Sequence, residues 1–387
     1  MPRSQAFHAG RQPLQDQRVP LGSPHISGPL AFFNPTRAHF PLSTHPSLDR
    51  ETVPKPRIER LWRSRDNRKG RHALTIHQRP PGVAGKNYPR KTMHRIAIIK
   101  GILRMFTAFP YWDISFWVAF VFTVGSVIWV INAFFVWLPL EDPSTEFANE
   151  VLTGGGVTAF IVNENQTGCF GWAVETASKE AEDEVEQAVV RIKSDMDSCL
   201  HHHANRHSFP TPSEARQDSH RQTAIARKRS FEWLPTLTEL RTHYLHEIGF
   251  WASFVQLVGA TIFWIAGFTG LPGIMNHMSQ AVTNGVFWVP QIVGGSCFIL
   301  SGFLFAIETQ PKWYIPAIHI LGWHVGFWNF IGGIGFTLCG ALGPATANSG
   351  VEYQSTLATF WGSWAFLLGS VIQWYESLDK HPVEEKH

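Results

Sequence analysis

The chain has 387 residues, 44% of them hydrophobic and 13% aromatic, with 33 Lys+Arg against 30 Asp+Glu for a formal net charge of +3. A mean hydropathy of -0.07 would suit a soluble globule, but the average hides two regimes. The first 110 residues hold 20 of the 33 cations and five acids, while five later runs hold no charged side chain. That split excludes a simple soluble domain. The four cysteines, Cys169, Cys199, Cys297 and Cys339, form no CxxC pair, which argues against a disulfide framework or a structural zinc site.

Residues 1–90 are rich in Pro, Arg, His and Ser and show no sustained periodicity, with "VPKPRIERLWRSRDNRKGR" as a basic block. Such a composition predicts a disordered basic arm. No apolar segment follows the start as in a signal peptide, and the prolines spoil the amphipathic helix of a mitochondrial presequence. A solvated cytosolic tail is the reading composition favours. Residues 91–110 change character. In "RIAIIKGILRMF", Ile96, Ile98, Ile99, Ile102, Leu103 and Phe106 share one broad helical arc, with Lys100 and Arg104 off it. This predicts a juxtamembrane helix lying in the interface, its cations near anionic headgroups. The alternative is the first turns of a longer helix, which Pro110 argues against.

The segment 111–174 opens with an uncharged run from Ile114 to Leu138, long enough to cross a ~30 Å bilayer core, which takes about 20 residues. After the acidic "LEDPSTEFANE" comes "VLTGGGVTAFIV", Val151 to Val162, twelve residues and too short to cross alone. Continued through mostly uncharged residues to Val174, it reads as a shortened second span. The loop 175–247 begins with Ala181, Val185, Ala188, Val189, Ile192, Met196 and Leu200 at three- and four-residue spacing. This predicts an amphipathic helix over 179–200 and, on its apolar face, a site for a protein partner. A four-span bundle follows over 248–374, with uncharged runs at Ile248–Gly270, Gly285–Ile307, Ile320–Leu342 and Thr356–Trp374, and then a tail over 375–387. Of the 16 Trp, 13 lie in or beside the five runs, as expected of rings that settle at the headgroups.

Charge counting chooses the topology. With six crossings, the basic arm, the 175–247 loop, Lys312, Lys380 and Lys386 share one side, and all 33 cations lie there. That side is the cytosol by the positive-inside rule. With five crossings the loop and the C-terminal lysines move out. The expectation is therefore an all-α polytopic transmembrane helix bundle with five clear spans, a shortened sixth and both termini cytosolic.

The stretch from about Pro110 to Val383 resembles a group of uncharacterised multi-pass integral membrane proteins of filamentous fungi. The resemblance is carried by "LRTHYLHEIGF", "ATIFWIAGFTGLPGI", "ETQPKWYIPA", "GWHVGFWNFIGGIGFTLCGALG" and "FWGSWAFLLGSVIQWYESLDKHPV". In that group the region after "GGGVTAFI" continues as a full apolar helix, most of which is missing here. The resemblance implies a multi-pass membrane protein and brings no activity with it.

Three helices share an aromatic pair followed by a glycine: "FWVAFVFTVGSVI" at Phe116, "FWASFVQLVGATI" at Phe250 and "FWGSWAFLLGSVI" at Phe360. Eight residues past the Trp is ~12 Å along a helix, which puts Gly125, Gly259 and Gly369 near the midplane, where small residues let helices approach. Gly322 and Gly326 add a GxxxG. Ionisable groups inside a membrane are candidates for function, and His324 is the clear one, a relay or a partner for a neighbouring helix. Gln291 and Asn329 are its possible companions along a polar path, while Asn132, Gln256 and Gln373 read as bonds between helices. Pro290-Gln291 ahead of Gly294-Gly295 marks either a broken helix that frees backbone groups for a solute or an ordinary kink. His201, His202, His203 and His207 are weak metal candidates beside Cys199, their spacing matching no structural zinc pattern. Asn165 lies in a glycosylation sequon. The sequence shows no Ser/His/Asp set, no intramembrane carboxylate pair and no phosphate loop, so no cofactor, nucleic acid or catalytic role is implied. Two function classes remain: a membrane-organising bundle without enzymatic activity, and a small-solute, proton- or metal-linked transporter or channel.

Overall fold

The computed structural model describes residues 26–41, 58–77, 89, 91–145, 172–178, 188–194, 237–242 and 244–385. They fall into two units, one built from 1–114, 163–243 and 378–387 and the other from 115–162 and 244–377. The shortened second span at Val151–Val162 lies outside the described residues, as do Asn165, Cys169, Cys199 and the tract His201, His202, His203 and His207.

Over the described residues 26–41 and 58–77, the first unit has strands where a disordered arm was expected for 1–90. Strands β1 (Ile26–Ser27), β2 (Arg37–Pro41), β3 (Ile58–Arg63) and β4 (Ala73–Ile76) run antiparallel in that order, with the short helix α1 (Ser64–Arg68) between β3 and β4. Gly70, at φ 59°, takes the left-handed conformation that reverses the chain after α1 into β4. A hairpin of β5 (Trp172–Ser178) and β6 (Ala188–Ser194) stands in place of the helix expected over 179–200, at least in its described part. "AVVRIK" offers β-branched residues that suit a paired strand as well as a helix face, so over 188–194 the expected helix is corrected to a strand, and the rest of 179–200 lies outside the described residues. The last strand of the unit, β7 (Val383–Glu385), pairs parallel with β4 and completes the five-stranded sheet.

That last strand explains why the arm folds. Ile58, Leu74, Ile76 and Val383 form one buried cluster, so the apolar stripe of β3 and β4 is covered only when the C-terminal tail arrives. The buried cations are paired as well. Arg63 is bonded to Glu384 and, at 3.3 Å, to Asp66, whose other oxygen takes Arg71. The Arg71 Nε donates to the Asp379 carbonyl at 2.8 Å, and Lys380 reaches both the Lys69 carbonyl and Asp113. Burying a charge is costly unless it is paired and hydrogen-bonded, and several of these partners lie more than 300 residues away.

Burial alone would raise the Glu384 carboxyl, but the Arg63 guanidinium beside it outweighs that and holds it below its ordinary 4.5. Burial likewise opposes the bonds from His77 and His39 that lower Glu59. A depressed carboxylate adds stability that is present above its unfolded value and lost as pH falls through its folded one. The β4–β7 pairing is therefore expected to hold at neutral pH and to weaken progressively below about pH 4.5. The protection factor of the Leu74 amide, bonded to the Pro382 carbonyl and measured against the intrinsic exchange rate at each pH, should fall there, and Glu384→Gln should lower it at pH 7 while flattening its dependence on pH.

Helix α2 (Arg95–Thr107) forms where the juxtamembrane helix was expected, capped by His94, whose Nδ1 accepts from the Ile96 amide at 3.2 Å. None of its residues is buried, and Phe106 is 81% exposed. Ile96, Ile99, Ile102 and Leu103 are exposed with it.

The second unit holds helices long and apolar enough to cross a membrane: α3 (Ile114–Glu141), α4 (Ile248–Thr269), α5 (Val289–Glu308), α6 (Leu321–Leu342) and α7 (Ser349–Leu378). Among the described residues there are five such spans, α5 being the end of a continuous stretch from Gln280. Their contacts fix their directions. In α3 and α7, Phe120 meets Trp374, Phe134 meets Phe360, and Glu141 accepts from the Tyr353 hydroxyl, so these two run antiparallel. Ser301 of α5 bonds the Ala252 carbonyl of α4 near one end, and Gly294 lies against Gly259 towards the other. Gly302 faces Phe330 and Gly340 faces Ile292 between α5 and α6, while Gly335 faces Ala358 and Gly369 faces Val325 between α6 and α7. Each of these pairs is antiparallel. It follows that α3, α4 and α6 point one way and α5 and α7 the other, so α3 and α4, consecutive among the described spans, run in the same direction.

Candidate functional site in the helix bundle

In lipid, apolar side chains gain little by leaving one surface for another, so helices associate through close packing and hydrogen bonds. The α5–α6 pair shows how this sequence meets that demand. Gly295 and Gly302 stand seven residues apart on α5, and Gly326, Gly333 and Gly340 repeat at the same interval on α6. Seven residues is close to two helical turns, so each set lines one face. A Cβ added at any of the five would come under 3.0 Å from backbone atoms of the facing helix. Gly322, one turn before Gly326, is buried on the same helix.

The expected packing glycines divide. At Gly259 a Cβ would stand 2.6 Å from the Cys297 Cβ, and at Gly369 it would stand 3.3 Å from the Trp328 Cβ. Gly125 is different, since a Cβ there meets nothing within 4 Å. No helix described in this chain crosses α3 at Gly125, and the same is true of Gly267 on α4.

Between the helices sits an aromatic cluster of Phe263, Phe298, Phe336 and Phe366, one from each of α4 to α7, with Phe122 and Trp129 of α3 packed against it. The Phe263 and Phe336 rings lie 5.3 Å apart, and Trp129 meets both, at 5.8 and 5.0 Å. Phenylalanines thus fill the interior at mid-length, as edge-to-face pairs prefer.

The three residues proposed for a polar path stand at three different places. Gln291 is near the end of the bundle where α6 finishes, its Oε1 accepting from the Cys339 thiol at 3.6 Å. Asn329 is buried on α6 towards the opposite end, with Phe336 two turns further along. His324 is half-buried near the start of α6, and its Nε2 lies 2.7 Å from the Ile318 carbonyl of the preceding turn. The aromatic cluster stands between the level of Asn329 and that of Gln291.

At Pro290, where either a broken helix or an ordinary kink was expected, the helix is irregular. A π-helical turn, Asn284–Trp288, leads into α5. Proline supplies no N–H to the carbonyl four residues back, which here belongs to Val286. That carbonyl lies 2.9 Å from the Thr269 hydroxyl of α4, whose one hydrogen is shared between it and the Ile265 carbonyl, also at 2.9 Å.

Two features escaped the sequence reading. The seven-residue spacing of Gly326, Gly333 and Gly340 was there to be found. The second is the state of two amides that the sequence did single out, Gln256 as a bond between helices and Asn329 as part of a polar path. Gln256 of α4 is 3% exposed and Asn329 is 4% exposed, and neither Gln256 Oε1 nor Asn329 Oδ1 has a hydrogen-bond partner. Gln256 precedes Phe263 by seven residues, exactly as Asn329 precedes Phe336. Comparison with protein-family models, with curated proteins and with solved structures finds no match.

Bulk at the α5–α6 seam should be costly. Gly333→Leu is expected to lower stability by ~1–3 kcal/mol or to prevent folding. Gly273→Ala, where nothing lies within 4 Å, should change it by less than about 0.5 kcal/mol. Thermal unfolding of both variants in one detergent measures the contrast. Thr269→Val should also destabilise, by ~1–3 kcal/mol, because it strands the Val286 carbonyl.

Proposed function

We propose that this chain is a membrane-organising helix bundle without enzymatic activity, crossing the bilayer six times with both termini in the cytosol. The observation that carries the functional part is the filled interior, with aromatic rings from all five described spans at mid-length and glycine-mediated contact on either side. A pathway for solute would have to pass that cluster to join Asn329 to Gln291.

Three observations support the sixth crossing. Helices α3 and α4 run in the same direction, so a chain leaving α3 at Glu141 must return to the other end before Ile248. Gly125 and Gly267 present open small-residue positions on those two helices, the kind of surface against which another helix packs. The sheet of the first unit pairs a strand from before the first span with one from after the last, an arrangement that fits an even number of crossings better than an odd one. The positive-inside rule names the side of both ends as the cytosol. Helix α2, with its uncovered Ile and Phe face and with Arg95, Lys100 and Arg104, suits the interface of a leaflet bearing anionic headgroups.

Purified protein reconstituted in liposomes should give no saturable flux of protons, alkali cations, ammonium or divalent metals above that of empty vesicles. Flux that saturates and is abolished by His324→Gln would replace this reading with the proton- or metal-linked transporter. Topology is separately testable. Single cysteines placed at Ser144 and at the C-terminal His387 should label from opposite sides of the membrane, and one placed at the exposed Met93 should label from the same side as His387. Labelling of Met93 and His387 from opposite sides would refute six crossings.

A further inference from the structure

The connection between α5 and α6, residues 309–320, differs from its neighbours in composition. The links at 270–279 and 343–348 hold no Lys, Arg, Phe, Trp or Tyr, whereas this one holds Lys312, Trp313 and Tyr314. Lys312 is also the one Lys or Arg in all of 115–162 and 244–377, and no acid lies between Glu308 and Glu352. Glu308 itself is buried, while Lys312 is exposed.

The link is fixed at several points. The buried Gln310 side chain donates to the carbonyls of Trp313 at 2.8 Å and Lys312 at 3.1 Å, and it accepts from the Trp323 indole N–H at 2.8 Å. The Ile315 amide bonds the Lys312 carbonyl at 3.1 Å, and the Ile320 amide bonds the Ala317 carbonyl at 2.9 Å. The His324 ring lies 2.7 Å from the Ile318 carbonyl, and Ala317 and Ile320 are buried. On a backbone held in this way, Trp313 (57% exposed), Tyr314, Ile315 and Ile318 (65% exposed) stay uncovered. The Lys312 ammonium stands 5.8 Å from the centre of the Tyr314 ring.

What covers these side chains follows from where the link begins and ends. Thr309 follows the last residue of α5, and Ile320 precedes the first of α6. A short link between two spans lies at the bilayer surface. Tryptophan and tyrosine settle at that level because their rings are apolar and their polar hydrogens need partners. A lysine there meets phosphate, which its compact ammonium binds as a point charge. We propose that the 309–320 link is a binding site for an anionic phospholipid, with Lys312 on the headgroup phosphate and Trp313, Tyr314, Ile315 and Ile318 among the headgroups and upper acyl chains. In a zwitterionic lipid the choline cation offsets the phosphate, so a lysine with no acid beside it in the link selects a lipid of net negative charge. The site rests on α5 and α6 crossing a bilayer, and neither on the number of crossings nor on the organising role.

The basic arm and α2 also attract such lipids, so the readout has to be local. A photoactivatable benzophenone residue is placed in the full chain at Ile315, beside Lys312, or at Leu300, an exposed position midway along α5. Each protein is reconstituted in vesicles of equal parts phosphatidylcholine and phosphatidylserine, and mass spectrometry identifies the lipids cross-linked on illumination. At Ile315 phosphatidylserine is expected to exceed phosphatidylcholine about fivefold, and Lys312→Gln should bring that ratio down to the one found at Leu300. Equal ratios at the two positions, an excess that survives Lys312→Gln, or a lack of lipid adducts at Ile315 would each overturn the proposal. Lipid adducts at Leu300 leave the membrane reading standing in all three cases. Their absence would overturn that reading and the site together.

Discussion

The structure of the bundle depends on one constraint, that α5 and α6 meet backbone to backbone. Within a bilayer there is no water to expel from between two apolar helices, so contact must be gained by proximity. Glycines at a seven-residue interval provide it, because each removes the side chain where the two helices would otherwise be held apart. The other pairings follow from that seam. Gly259 brings α4 against α5 beside Cys297, and Gly335 with Gly362 brings α6 against α7. With the helices drawn in, one phenylalanine from each of α4 to α7 suffices to fill the middle.

The same closeness accounts for how polar groups are treated. Serines and threonines return their hydrogens to backbone carbonyls, the carbonyl freed by Pro290 lies within reach of the Thr269 hydroxyl, and His324 stays beside the Ile318 carbonyl at the rim. These are arrangements in which polar groups are consumed internally. The side-chain oxygens of Gln256 and Asn329, two interior amides, have no such partner. In the first unit the problem is charge rather than polarity, and it is met by pairing, with Arg63 and Arg71 held by Asp66 and by groups of the C-terminal tail.

What the sequence disclosed depended on how far apart the interacting residues are. The five spans were legible because a span is a local property, some twenty residues without charge. Helix α2 was legible for the same reason, as its apolar arc repeats within three turns. The sheet was not, because the cluster of Ile58, Leu74 and Ile76 is completed by Val383, and Arg63 is matched by Glu384. A window on the arm shows only excess cations. Over 188–194 a spacing that fits a helix face also fits a strand of β-branched residues, and pairing with β5 decided between them. Among the glycines, the recurring Phe-Trp motif pointed to Gly259 and Gly369, which are at crossings, and equally to Gly125, which faces no described helix. The glycines of the α5–α6 seam carried a clearer signal in their interval than in any motif around them.

The central claim is the backbone contact between α5 and α6, and solid-state NMR on labelled protein in lipid bilayers measures it most directly. A Cβ placed on Gly326 would stand 2.8 Å from the Ala306 Cα, so the two Cα atoms must be close neighbours across the seam. The account predicts strong carbon–carbon cross-peaks between Gly326 Cα and Ala306 Cα and between Gly333 Cα and the Ile299 side chain at short mixing times. Their absence, in spectra where contacts within each helix are seen, would contradict it.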